Sequence, residues 1–191
     1  MVNPRYVMTV FAGTNGAGKS TISKQMKGIV GTIIDPDAIA KSLNPSHPRE
    51  ADLSAGKEAV KQIRGHIVQN QNFAIETTLS GSFALRHMQI AKENGYWVAL
   101  YYIGLQDVQM HIDRVASRVE QGGHWIAEAD IRWRYGHSLN NLKPALKLAD
   151  QVVIIDNTFE AEIIAEFEGQ SIVYHKKNIP VWAEDTFTLF D

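Results

Sequence analysis

Gly13-Thr14-Asn15-Gly16-Ala17-Gly18-Lys19-Ser20 matches the pattern G-x-x-x-x-G-K-[ST] at every fixed position. The chemistry such a segment can do is phosphate binding. Glycines let the backbone fold so that successive N–H groups converge on phosphate oxygens. A helix starting near Lys19 adds the positive end of its dipole. The Lys19 ammonium can reach the β- and γ-phosphates, and the Ser20 hydroxyl can ligate Mg²⁺. Gly13 to Ser20, extended by Thr21, are therefore the candidate nucleotide-binding residues, and Ser20 is the candidate metal ligand.

A transferable phosphoryl group also needs an acceptor-activating base and cations to offset its charge. Asp35-Pro36-Asp37 and Glu76-Thr77-Thr78-Leu79-Ser80-Gly81 each follow an apolar run. In a parallel sheet both segments leave the carboxyl edge, where the phosphate loop also lies. Asp37 reads as the base, with capping of a short helix Ala38–Ser42 as its structural alternative. Pro36 biases the backbone of Asp35 away from helix and makes Asp35 the weaker candidate. Glu76, Thr77 and Thr78 read as substrate contacts, and Thr78 or Ser80 alternatively as a helix cap.

Four arginines flank Gly122-Gly123: Arg114 and Arg118, one helical turn apart, then Arg132 and Arg134. A helix, a glycine break and a second arginine-bearing helix suit a lid closing over phosphates at about 114–134. Arginine keeps its charge and matches phosphate geometry. Arg118 and Arg134 rank first. The alternative is solvated helix faces paired with Asp113, Glu120 and Asp130. His124 adjoins the glycines without metal-ligand spacing to another histidine, and Trp125 and Trp133 read as packing residues. Val152-Val153-Ile154-Ile155-Asp156 has the pattern of a second magnesium motif but comes late, so Asp156 reads as the start of a turn. Asn157 and Thr158 fall where an adenine-contacting loop could lie.

The elements that must position these residues are short apolar runs alternating with amphipathic stretches. Strands are expected at Tyr6–Ala12, Ile29–Ile34, Asn72–Ile75, Trp97–Ile103 and Gln151–Ile155. Helices are expected at Lys19–Lys27, Ala55–Asn70, Phe83–Asn94 and Gln106–Glu120. The second of these runs places Ala59, Val60, Ile63 and Ile67 together on one face. This alternation predicts an α/β protein: a three-layer α/β/α P-loop fold with a five-stranded, mainly parallel sheet. One domain over residues 1–191 is expected, with a C-terminal extension at 171–191 forming a hairpin around Asn178–Pro180.

Composition narrows the classes further. The chain has 191 residues, 45% hydrophobic and 21% charged, which suits a globular fold. It has no cysteine, so disulfide scaffolds, Cys-ligated zinc, iron–sulfur clusters and thiol nucleophiles are excluded. A net charge of −2 argues against broad nucleic-acid binding. No apolar run reaches the roughly 18 residues of a membrane span. A cytoplasmic protein without membrane partners is expected.

The segments GTNGAGKST, IIDPDAIAKSLNP, FAIETTLSG, RVASRVEQGGH and IRWRY together resemble the zeta-toxin family of P-loop kinases, over roughly Tyr6 to Asn157. The likeness is greatest to its short, stand-alone branch. The resemblance implies a phosphotransferase using ATP or GTP with Mg²⁺, in which Lys19 and Ser20 bind phosphate and magnesium. Asp37 would deprotonate an acceptor hydroxyl, and Glu76 would contact the substrate. One arginine of Arg114 or Arg118 and one of Arg132 or Arg134 would clamp the phosphoryl group, with Gly122 to Trp125 as the lid tip. The best-known members phosphorylate UDP-N-acetylglucosamine and are held by an antitoxin protein, so a nucleotide sugar and an antitoxin are the implied substrate and partner. Two departures limit the transfer. The chain is shorter than the long toxins, and Asp-Pro-Asp stands where a single Asp is expected, which leaves the base between Asp35 and Asp37. The competing readings are an ATPase or nucleotide switch acting through a protein partner, and a kinase of nucleosides or nucleic-acid ends.

Overall fold

The computed structural model describes residues 6–123, 125–169 and 171–187. The elements run in the order β1 (Val7–Ala12), α1 (Lys19–Val30), β2 (Thr32–Ile34), α2 (Pro36–Leu43), a 3₁₀ turn (Pro48–Ala51), α3 (Asp52–Val68), β3 (Phe73–Thr77), α4 (Ser82–Glu93) and β4 (Trp97–Gly104). They continue with α5 (Val108–Glu120), α6 (Glu128–Leu148), β5 (Gln151–Asp156), β6 (Glu162–Glu168), β7 (Ser171–His175) and α7 (Val181–Phe187). The strands form one sheet in the order β2-β3-β1-β4-β5-β6-β7. The first five are parallel, and β6 and β7 add an antiparallel hairpin at the edge.

The continuous apolar character of the parallel strands reflects burial on both faces. One face carries Met8, Val10, Phe73, Ile75, Leu100 and Phe167 under α3, α4, α6 and α7. The other packs Phe11 and Ala74 beneath α1, with Tyr101 stacked on Phe11 at a ring separation of 5.4 Å. Each fully buried large side chain contributes about 1.5–3 kcal/mol by leaving water. On α3 the buried stripe is Ala55, Ala59, Ile63 and Ile67, spaced four apart. Val60, expected in that stripe, lies beside it and is only partly buried.

Three expectations are corrected. The sheet has seven strands rather than five, because Glu162–Glu168 and Ser171–His175 pair with each other and with β5. The hairpin therefore turns at Gly169, in the left-handed region at φ 57°, and not at Asn178–Pro180. Residues 181–187 form a helix instead, because Trp182 has a place to dock. Its ring covers Gly104, where any side chain would collide with it, and lies 5.9 Å from the Tyr102 ring. The second strand is also shorter than expected, since Ile29 and Val30 remain in α1.

The register aligns the carboxyl ends of the five parallel strands. Ala12 is opposite Thr77 and Tyr102, and Gly104 is opposite Asp156. Every loop that carries a candidate residue between Gly13 and Glu76 therefore opens on one edge, beside the central strand β1. Among the described residues no helix is long and apolar enough to cross a membrane.

Candidate functional site

The phosphate loop turns sharply off β1 and ends as the first turn of α1. Gly18 caps that helix at φ 97°, a conformation that disfavours any side chain. Gly16, at φ 84°, is pressed against α5 so closely that a Cβ would sit 2.7 Å from the His111 carbonyl oxygen. The Asn157 side chain braces the loop from β5, its Nδ2 donating to the Ala17 carbonyl at 2.8 Å. Lys19 folds back over the loop, with Nζ donating to the carbonyls of Gly13 at 2.7 Å and Thr14 at 3.3 Å. Burial pushes the Lys19 pKa down, opposed by the nearby carboxylates of Glu76, Asp37 and Asp35. These positive-φ glycines and the inward lysine form a cradle that fits a chain of phosphates.

Glu76 ends β3 and is 6% exposed. Ser20 Oγ donates to its Oε2 at 2.7 Å, and Ser23 Oγ donates to its Oε1. The residue expected to contact substrate is thus fastened to the loop hydroxyl expected to ligate Mg²⁺. The next turn is held by its own hydroxyls: Leu79 N–H donates to Thr77 Oγ1 at 3.0 Å, and Thr78 and Ser80 share a 2.8 Å hydrogen bond. Leu79 sits at φ 58° and is fully buried, and its carbonyl accepts from Asn141 Nδ2 at 2.9 Å.

The two aspartates divide their work. Asp35 caps α2, its Oδ1 accepting from the Asp37 N–H at 3.0 Å, with Pro36 at the first helical position. The capping alternative weighed for Asp37 therefore belongs to Asp35. Burial, reinforced by Glu76 and Asp37, raises the Asp35 pKa to about 6. Asp37 is exposed in the first turn of α2 and faces the cavity.

That cavity has a volume of about 630 Å³ and is lined by the loop, Asp35, Asp37, Glu76 to Thr78, Arg114, Arg118 and Arg134. A second cavity of about 390 Å³ adjoins it, bounded by α2 and by Gly122, Gly123 and Trp125, and shares Asp37 and Arg118 with the first. The four arginines separate into distinct situations. Arg134 Nη1 donates to the Asn15 side-chain oxygen at 2.9 Å. Arg118 stands where the two cavities meet. Arg114 is committed to the β5–β6 loop, its Nη2 donating to the carbonyls of Asn157 at 2.7 Å and Thr158 at 2.9 Å. Arg132 points away from the cavity, paired with Glu128 at 2.6 Å and with Gln109. Of the two α6 arginines expected as a clamp on phosphate, Arg132 thus stands in a surface ion pair outside the cavity lining, and Arg134 lines the cavity.

An uncharacterized protein of Haemophilus influenzae is 43% identical over 125 residues, covering 65% of this chain and 89% of that protein. The chain belongs to the family of that protein. A chain of the PezAT chromosomal toxin–antitoxin system of Streptococcus pneumoniae superposes with a TM-score of 0.65 at 20% identity, covering 98% of this chain and 78% of that one. The AvrRxo1-ORF1:-ORF2 complex with ATP gives 0.64 at 14% identity, covering 99% of this chain and 64% of that one. This family member thus shares the P-loop α/β fold of those two chains. No protein-family model matches the chain.

Several residues of this family member depart from the sequence reading. Trp125 and Trp133, read as packing residues, are 61% and 54% exposed and border the cavities. Trp133 stacks on His137 at a ring separation of 4.0 Å. Asp156, by contrast, makes the turn expected of it, its Oδ1 accepting from the Thr158 N–H at 3.0 Å and from the Thr158 hydroxyl. Asn157 supports the phosphate loop. His124 lies outside the described residues. Sequence reasoning missed Ser23, one helical turn beyond Ser20, and His111, one helical turn before Arg114. The buried polar character of Ser23 beside an apolar helix face was the available clue.

Proposed function

We propose that this protein transfers the γ-phosphate of ATP to a hydroxyl of a small molecule. The observation that carries this reading is the convergence on one cavity of Lys19, Ser20, Asp37, Arg118 and Arg134, drawn from four separate elements. A hydrolytic switch needs no acceptor space, whereas here a second cavity of about 390 Å³ opens beside the carboxylate and arginine that would flank the transferring group.

In this reading the loop N–H groups and Lys19 hold the phosphates, and Arg118 and Arg134 offset the charge that spreads over the phosphoryl oxygens. Asp37 orients the acceptor hydroxyl and takes its proton. Ser20, oriented by Glu76, is the residue that would hold Mg²⁺, which when bound neutralises phosphate charge. The helices on either side of Gly122 and Gly123 act as a lid. The resemblance in the sequence makes UDP-N-acetylglucosamine the first acceptor to try. The toxin–antitoxin origin of the Streptococcus pneumoniae neighbour extends the proposal to a protein partner of the antitoxin kind.

The test is ADP release from Mg-ATP by the purified protein, alone and with UDP-N-acetylglucosamine or a small-molecule extract. Stimulation of tenfold or more by an acceptor supports the reading. An unchanged rate across all acceptors supports a hydrolytic switch instead.

A further inference from the structure

Asn15 touches both helices of the lid. Its side-chain oxygen accepts from Arg134 Nη1 on α6, and its main-chain carbonyl accepts from His111 Nδ1 on α5, each at 2.9 Å. A carbonyl can only accept, so His111 carries its proton on Nδ1. Burial holds the His111 pKa down at about 4, which keeps the ring neutral near pH 7. The ring is 1% exposed and meets the edge of Tyr135, the residue after Arg134, at 5.4 Å. Asn15 itself is 5% exposed and lines the larger cavity together with Arg134.

Two arginines two positions apart on α6 thus have opposite surroundings. The guanidinium of Arg132 is neutralised by the Glu128 carboxylate. That of Arg134 is steadied by a neutral amide at the rim of the phosphate loop. An amide oxygen restrains a long, rotamer-rich side chain without cancelling its charge.

We propose that Asn15 is a positioning residue that presents Arg134, with its charge intact, to the terminal phosphate of a bound nucleoside triphosphate. His111 serves the same end by fixing the main chain of Asn15. This inference rests on the phosphotransferase reading above. It assigns to a variable position of the phosphate loop a task that the motif itself does not specify.

The test compares the affinities of Mg-ADP and of a non-hydrolysable Mg-ATP analogue, AMP-PNP, by calorimetry. The quantity read is the ratio of the two affinities, which isolates the terminal phosphate. Arg134→Ala is expected to lower the preference for AMP-PNP about tenfold or more. Asn15→Ala is expected to lower it about three- to tenfold. The double variant is expected to match Arg134→Ala alone, because a residue acting through Arg134 has nothing left to do once Arg134 is gone. Asn15→Asp keeps the size and the acceptor but neutralises the guanidinium, and is expected to lower the ratio at least as far as Asn15→Ala. A purely structural Asn15 would give additive losses and would tolerate Asp, and either result overturns the proposal. If Arg134→Ala leaves the ratio unchanged, the role of Arg134 on phosphate fails and the positioning role falls with it. If the wild-type protein binds neither nucleotide, the phosphotransferase reading itself has failed. Melting temperatures of all four variants establish that folded protein is being compared.

Discussion

Ser20 Oγ donates a 2.7 Å hydrogen bond to Glu76 Oε2, joining the first turn of α1 to the end of β3 across 56 residues of chain. The second oxygen of the same carboxylate accepts from the fully buried Ser23 hydroxyl. Glu76 therefore belongs to the phosphate loop as much as to any acceptor site. Glu76→Gln is expected to raise the Mg²⁺ concentration for half-maximal turnover about tenfold, since a neutral amide orients and polarises the Ser20 hydroxyl less well. If Glu76 serves the acceptor alone, the acceptor KM rises and the Mg²⁺ dependence stays as in wild type. A Mg²⁺ titration at saturating acceptor separates these outcomes.

Asp37 and Asp35 are two residues apart and should behave differently. Asp37→Ala is expected to reduce phosphoryl transfer about 100-fold with the affinity for Mg-ADP within a few-fold, as for loss of a general base. Transfer within a few-fold of wild type would remove Asp37 from that role.

Asp35 is expected to show itself in stability. Burial raises its pKa in the folded protein to about 6, from the usual carboxylate value near 3.8 in the unfolded chain. Well below pH 4, at about pH 3, both states are largely protonated and the group has little net effect. As pH rises from about 4 to 6 the unfolded chain loses its proton first, so stability falls through that window and the loss is complete above it. Asp35→Asn keeps the cap on α2 and removes the charge. It should be more stable than wild type at pH 8, by about 1–2 kcal/mol, and the advantage should be lost at about pH 3. Thermal melts at the two pH values decide this, and an advantage independent of pH would contradict it.

Arg114 and Arg132 make a second contrasting pair. Arg114 donates to two carbonyls of the loop that also carries Asn157, the brace of the phosphate loop. Arg114→Ala should cost about 2–3 kcal/mol, because it leaves partly buried acceptors without a charged donor. Arg132→Ala breaks an exposed pair one helical turn long and should cost about 0.5 kcal/mol or less. It should also leave turnover within twofold. Denaturant unfolding measures the first difference. A large loss of turnover in Arg132→Ala would return that residue to the site.

The parts of this site that were legible in the sequence are those whose chemistry is local. The phosphate loop, its strand and its helix occupy one stretch from Val7 to Val30, and glycine spacing alone specifies the turn. Asp35-Pro36 carries a readable cap signal, an acceptor side chain followed by proline at the first helical position, although the sequence reading weighs capping only for Asp37, two residues later. The four arginines share a residue type, but the partners that distinguish two of them lie far along the chain: 43 residues for Arg114 and 119 for Arg134. Helical spacing predicts that Arg114 and Arg118 share a face and says nothing about the β5–β6 loop that packs against one of them. The edge hairpin escaped for a different reason. Glu162, Glu166 and Glu168 break the apolar run, as suits an antiparallel strand with one face toward water, and only Ile164, Ala165 and Phe167 are buried.

The central claim is that a phosphoryl group leaves ATP for a hydroxyl of another molecule at this cavity. It is tested most directly by mass spectrometry of acceptors incubated with the protein and Mg-ATP, with Lys19→Ala as the control. The account predicts an acceptor heavier by about 80 Da, the mass of one phosphoryl group, formed by wild type and absent with Lys19→Ala. Conversion of ATP to ADP and inorganic phosphate, with every acceptor returned at its original mass, would contradict it.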